Sequence, residues 1–476
     1  MDTKTKHIAV IDLGSSTIRG IVAQSDPVAG ISVLAVEEVD AADAVRHGRV
    51  INARETSERV NEIIRRLENN AAVAPGRISA IYVANGGRSL ISTPANATIK
   101  QGAEAEITPD TLAQLHREAR YNLASDRDVL VIAPRRYFVD QAQVKKVVGA
   151  FGNTVRGEFT VLTCSPENRR ALDRVNFLSA DNPVPREYVT RILAQTEMAL
   201  TDSDRQRGVA FVDFGAETTT LAVFREGALQ MVATLPMGSA NITRDLCTVL
   251  GITTDQADNI KHTRGRAVAA RVGIDAPDAE SREIISLISA RTAEIIANIN
   301  HLLSEGGFKS ADLPAGIVIA GGGSRLNGFA ELLEAQTKLK VRPAAVDASI
   351  VSKCDAQPAD YFDLIALARY AAAHSDIDCL DIPEPEPEPE PEQPLHISDT
   401  AQGGFRRQMI NDDDPNLLAD DPDDYNGSRS YNEDTPIDDI PRGSSPEKIR
   451  KTFRERLRSL RDWMAPQDEQ NNDLDS

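Results

Sequence analysis

The stretch Ile8-Ala9-Val10-Ile11-Asp12-Leu13-Gly14-Ser15-Ser16-Thr17-Ile18-Arg19-Gly20-Ile21-Val22-Ala23 decides the fold. An apolar run ends in a polar bend that contains a glycine, and strand-like composition then resumes, which is the pattern of a β-hairpin. A second unit of the same shape follows about 200 residues later. There Val209-Ala210-Phe211-Val212 leads into Asp213-Phe214-Gly215-Ala216-Glu217-Thr218-Thr219-Thr220 and leaves through Leu221-Ala222-Val223-Phe224. Two such units predict an internally duplicated core. Helical stretches at Glu55–Leu67 and Arg282–Leu303 sit between the strands of the two halves, so the class is α/β.

The bends carry chemistry. A phosphate chain calls for clustered backbone N–H groups, small residues that let the backbone come close, and a carboxylate to hold hydrated magnesium. Asp12, Gly14, Ser15, Ser16 and Thr17 supply that set in the first bend, and Asp213, Gly215, Thr218 and Thr219 in the second. If the halves are related by a pseudo-twofold axis, the bends face each other across a cleft, with Asp12 and Asp213 placed to hold magnesium through water. An Asp-x-Gly turn alone is common as plain hairpin structure. The third element narrows the reading. Gly316-Ile317-Val318-Ile319-Ala320 is a buried strand that runs into Gly321, Gly322, Gly323 and Ser324 and then into a helix. Without Cβ atoms, such a backbone can lie flat against a base or ribose. The three elements, in this order, predict a nucleotide cleft.

In that order they resemble the two phosphate loops and the adenosine motif of the actin superfamily. Within it the chain resembles the FtsA family of bacterial cell-division proteins. The resemblance spans residues 1–375 and rests on Gly48-Arg49-Val50-Ile51-Asn52, Ile107-Thr108-Pro109-Asp110, Val129–Pro134, Tyr137–Asp140 and Gly157–Cys164, and further on Leu235–Leu246 and Asp360–Ala371. It implies an actin-like fold whose first half takes residues 1–84 and 165–205. The second half takes 206–375, with a smaller subdomain at 241–313. Residues 85–164 form an inserted α+β domain. Periodic apolar residues in a helix at Pro109–Ala124 and in strands at 128–133, 136–139 and 157–162 point the same way, since so long a loop without its own core is unusual.

The resemblance also implies ATP with magnesium, at most slow hydrolysis, and self-association into filaments. It implies capture of the tail peptide of the tubulin-like FtsZ through the smaller subdomain, recruitment of the septal machinery, and a place on the cytoplasmic face of the membrane at the septum. No nucleic-acid partner is expected. The sequence departs from the family at Ala216 and Glu217, where two further glycines are usual. A positive φ at either position would be strained. A carboxylate there repels phosphate unless it meets magnesium or points outward, and a solvent-facing Glu217 is the simpler expectation.

Composition sets the remaining bounds. The chain has 476 residues, 41% of them hydrophobic, and a formal charge of −19. Residues 381–442 contain 18 acidic and 4 basic side chains, so this proline-rich segment alone accounts for 14 of those charges. Such a composition buries too little apolar surface to fold, and 381–445 reads as a disordered linker. Cys164, Cys247, Cys354 and Cys379 are widely spaced and show neither a metal-ligand pattern nor a disulfide framework. The polar start, Met1–His7, does not resemble a signal peptide. No apolar stretch reaches the roughly 20 residues that a bilayer span needs.

After the linker, Pro446 opens a helix to Met464, with Ser445 as its N-cap. Ile449, Phe453, Leu457, Leu460, Trp463 and Met464 gather on one narrow face, flanked by Lys448 and other basic residues. This is the pattern of an in-plane membrane anchor, with a protein groove or the chain's own body as alternative seats. Two other functions share the cleft pattern. A metabolite kinase would need a carboxylate base for its acceptor hydroxyl, and no further acid stands in a motif context. A DnaK-type chaperone would carry a β-rich peptide-binding domain where this chain has its acidic segment.

Overall fold

A computed structural model of the chain describes residues 5–28, 30–123, 126–269, 274–347 and 349–382. Of the acidic linker read at 381–445 only residues 381 and 382 are described, and Asp381 pairs with Arg77 in a short strand; the rest of it and the helix at 446–464 lie outside the described residues. The first half opens with β1 (Lys6–Leu13), β2 (Thr17–Asp26) and β3 (Gly30–Asp40), an antiparallel meander. β1 is buried along almost its whole length, which suits a central strand covered on both faces. Helix α1 (Ala53–Glu68) follows, capped by the Asn52 side chain, which accepts from Glu55 N–H. It lays Val60, Ile63, Ile64 and Leu67 on the sheet. β4 (Ile81–Asn85) then pairs parallel with β1.

The chain next leaves through β5 (Ile91–Glu106), α2 (Pro109–Tyr121), β6 (Asp128–Val139) and β7 (Phe151–Cys164). β7 lies between β5 and β6, and Leu115, Ala119, Val155, Phe159 and Val161 form a local core under α2. The sequence reading found the helix and parts of β6 and β7 but not β5, a strand that carries Pro94. Opposite β7, Pro94 faces Thr160, whereas on the other side β5 keeps only the Ile91–Ala233 pair. A strand with one free edge accommodates the missing N–H of proline. Through that pair the inserted strands extend the sheet of the second half.

The chain returns in β8 (Arg186–Thr190), parallel to β4, and in α3 (Arg191–Ala199). The second half repeats the plan with β9 (Val209–Phe214), β10 (Thr219–Arg225) and β11 (Ala228–Leu235) in antiparallel order. β12 (Ile317–Ala320) is parallel to β9, and β13 (Val341–Pro343) is parallel to β12. The orders β3-β2-β1-β4-β8 and β11-β10-β9-β12-β13 match strand for strand. This is the duplicated α/β architecture that the two hairpins predict.

Helices α4 (Ser239–Leu250) and α5 (Thr254–Arg264) form a small core with the first turns of α6 (Ala279–Glu305) through Ile242, Leu246, Ile284 and Ile288. Further along, α6 buries Ile295, Ile296 and Ile299 in the main core of the second half. Helix α7 (Phe329–Thr337) packs there too, while α8 (Phe362–His374) returns to the first half and lies against α3 and β1. No helix among the described residues is long and apolar enough to cross a membrane.

Candidate nucleotide cleft

The C-terminal ends of β1 and β9 deliver the two bends to a common cleft of about 840 Å³. Its lining includes Asp12, Gly14, Ser15, Ser16 and Thr17 from the first bend and Asp213, Gly215 and Thr218 from the second. Gly321, Gly322 and Gly323 complete it from the end of β12. Placement outside the carboxyl ends of the central strands is the general rule for open α/β sheets. Two residues singled out from the sequence do not line the cleft. Thr219 is fully buried and donates to the Met237 carbonyl at 2.8 Å. Side chains alternate along an extended strand, so Thr218 and Thr220 reach the cleft while Thr219 turns inward. Ser324 folds back in a 3-10 turn to donate to the Gly321 carbonyl at 2.7 Å.

Glycine is required at two of these places. Gly321 has φ +84°, and a Cβ on it would stand 2.5 Å from both Asp213 Oδ1 and the Phe214 carbonyl oxygen. A Cβ on Gly14 would stand 2.5 Å from the Thr17 carbonyl oxygen, closing the first bend.

The floor holds side chains that the sequence reading missed. Asp12 is fully buried and ion-paired to Arg191 through Oδ1 and to Arg19 through Oδ2, the latter at 3.2 Å. The same Arg19 nitrogen donates to Asp363 Oδ2 at 3.1 Å, and Gln195 donates to Asp363 Oδ1 at 2.8 Å. Burial alone would lower the Arg19 pKa, but Asp12 and Asp363 hold it above its usual value. Burial would raise Asp363, but the charges of Arg19 and Arg191 and the hydrogen bonds from Gln195 and Arg19 bring it below the usual carboxylate range. Asp213 is the exception, since burial first and the charge of Asp363 second push it up to about 6, against the pull of Arg191. One clue to Asp363 was present in the sequence, an acid at the head of the apolar run Leu364-Ile365-Ala366-Leu367-Ala368.

The floor tests the expected magnesium seat. Magnesium bound through carboxylates keeps several waters in a near-octahedral shell and needs oxygens free to meet it. Both Asp12 oxygens accept from guanidinium groups, so direct coordination of magnesium by Asp12 does not fit these residues. Among the described residues no three His, Cys, Asp or Glu side chains are gathered as a metal cage.

Glu217 overturns a second expectation. It does not face solvent, being only 8% exposed, and neither it nor Ala216 adopts a positive φ. Its carboxylate crosses the cleft to the tight hairpin Val45–Val50, where it accepts from Arg46 Nε at 3.1 Å and His47 N–H at 2.7 Å. His47 Nδ1 also lies 3.0 Å from the Glu217 carbonyl oxygen. The hairpin turns on His47 and Gly48, both at positive φ, and Gly48 N–H donates to Ser15 Oγ at 2.9 Å. Glu217 thus ties the second bend to the hairpin that braces the first.

The family model described as "Cell division protein FtsA" matches residues 210–374. Cell division protein FtsA of Porphyromonas gingivalis is 27% identical over 358 residues, covering 71% of this chain and 73% of that protein. The same protein of Escherichia coli K12 is 24% identical over 364 residues, covering 72% of this chain and 85% of that one. Among solved structures, a chain of the PilM-PilN type IV pilus biogenesis complex superposes with a TM-score of 0.54 at 14% identity, over 78% of this chain and 99% of that chain. In sequence this chain is similar to the FtsA cell-division proteins, and in fold it is actin-like.

Proposed function

We propose that the chain is a nucleotide-binding actin homologue of bacterial cell division, which takes ATP in the cleft between its halves and ties FtsZ to the membrane. The observation that carries the nucleotide reading is the convergence of two matched glycine bends and the Gly321–Gly323 turn on one cleft. Its volume lies within the usual range for a cofactor site, roughly 300–1,000 Å³. The division role rests on the FtsA relatives, and the membrane tie on the apolar and basic faces read at 446–464. Residues 241–313 are the part proposed to take the FtsZ tail peptide, and filament formation is proposed for the actin-like body. The metabolite-kinase reading draws no support from Asp363, whose two oxygens are engaged by Arg19 and Gln195.

The test is a pair of titrations on the full-length protein by calorimetry, one with ATP and one with a synthetic FtsZ tail peptide. Saturable heats in both are expected. ATP binding with a flat peptide titration would remove the division adaptor and leave a nucleotide-binding protein of another role.

A further inference from the structure

The guanidinium groups on the cleft floor stand where the two-bend pattern would put a metal. We propose that this chain holds its nucleotide without a divalent cation on Asp12, the Arg191 guanidinium taking the cation's place beside the phosphates. The proposal rests on the nucleotide reading above and adds to it which positive charge the phosphates meet.

Three observations carry it. Asp12 is fully buried and has no free oxygen, since Oδ1 accepts from Arg191 and Oδ2 from Arg19. A divalent ion bound directly to this carboxylate would have to displace at least one guanidinium and sit beside the other.

Next, the arginines keep donors in reserve. A guanidinium is a planar fork of five N–H donors that stays charged at any working pH, so one Nη can hold a carboxylate while the others meet a phosphate. Nε of Arg191 and Nε of Arg19 are buried and have no hydrogen-bond partner in the protein. The Arg191 side chain as a whole is 24% exposed and lines the cleft, so the rest of its donor fork is what a phosphate oxygen meets.

Finally, Arg191 is well placed. It is the first residue of α3, directly after the end of β8, and it lines the cleft together with Gly14 and Asp213. Packing fixes it there, because α3 lies against α8, whose Asp363 is held by Arg19 and by Gln195 of α3.

A bland alternative is a purely structural ion-pair network, and the experiment separates the two. ATP is titrated into the full-length protein by calorimetry, once with magnesium and once with excess EDTA. The wild-type dissociation constant is expected to change by less than about threefold on chelation. Arg191→Gln is expected to bind in magnesium yet weaken by about tenfold or more in EDTA, whereas Arg191→Lys keeps the charge and should stay nearly indifferent to chelation. A purely structural arginine would not move this metal dependence. The proposal is overturned if the wild type itself loses about tenfold or more in EDTA, or if Arg191→Gln remains indifferent to chelation. Absence of ATP heat from the wild type in both buffers removes the nucleotide reading and this proposal together. Should Arg191→Gln fail to fold, as judged by its circular dichroism melt, Arg191→Met takes its place in both buffers with the same expected and overturning outcomes.

Discussion

Asp213, one residue before the end of β9, has its carboxyl almost wholly buried, and its pKa of about 6 arises from burial and from the charge of Asp363. The folded protein therefore binds this proton more tightly than the unfolded chain does. The stabilising share of the group is present below the ordinary carboxylate range and is lost as pH rises through about 6, so at neutral pH its ionised form is a cost. Asp213→Asn should melt higher than wild type near neutral pH, and the gap should close near pH 4, about the ordinary pKa of an aspartate. Thermal melts followed by circular dichroism at both pH values check this. A lower melting point for the variant at neutral pH would mean that the attraction of Arg191 outweighs burial. Single residues were readable to the extent that a bend fixes them. Gly14, Gly215 and Gly321 follow from turns, whereas Thr219 was misplaced because one residue along a strand reverses the face, and Ser324 because its hydroxyl finds a nearer acceptor.

Between elements, the tie from Glu217 to the Val45–Val50 hairpin spans the two halves directly above the paired bends. A hydrogen bond to a charged group is worth roughly 1.5–3 kcal/mol, and the low end applies here because the Arg46 side chain is 41% exposed. Loss of the tie should loosen the cleft without unfolding either sheet. Glu217→Ala is thus expected to raise the dissociation rate of a fluorescent ATP analogue about tenfold in stopped flow, with Arg46→Ala moving the same way by less. An unchanged rate in Glu217→Ala would show that the halves are held together elsewhere. The sequence flagged Glu217 as a departure but not its partner. Arg46 and His47 belong to a two-residue hairpin whose position depends on the close packing of Gly48 on Gly87.

For the whole molecule, the matched strand orders of the two sheets put both bends at the same end of the structure, which is why one cleft receives them. The charge is divided as sharply as the fold, since 14 of the 19 net negative charges belong to residues 381–442. An acidic spacer repels an anionic surface, so contact with lipid falls to the basic and apolar faces read at 446–464. Each basic residue near an anionic bilayer adds about 1 kcal/mol. Removal of residues 446–476 should therefore abolish co-sedimentation with anionic liposomes, and added salt should weaken pelleting of the intact chain. Undiminished pelleting of the truncated protein would place the membrane contact in the body.

The sequence by itself determined the α/β class, the duplication and the three glycine elements, because strands, bends and positive-φ turns are written in local composition and short-range periodicity. Only the tertiary structure decided which charges share the floor. Arg19 and Asp363 lie 344 residues apart and Arg191 and Asp12 179 apart, and they meet only because α8 packs on α3 and β1. Ion pairing of that kind leaves no periodic trace. From the sequence Asp12 reads as a holder of hydrated magnesium, whereas packing makes it the partner of two arginines.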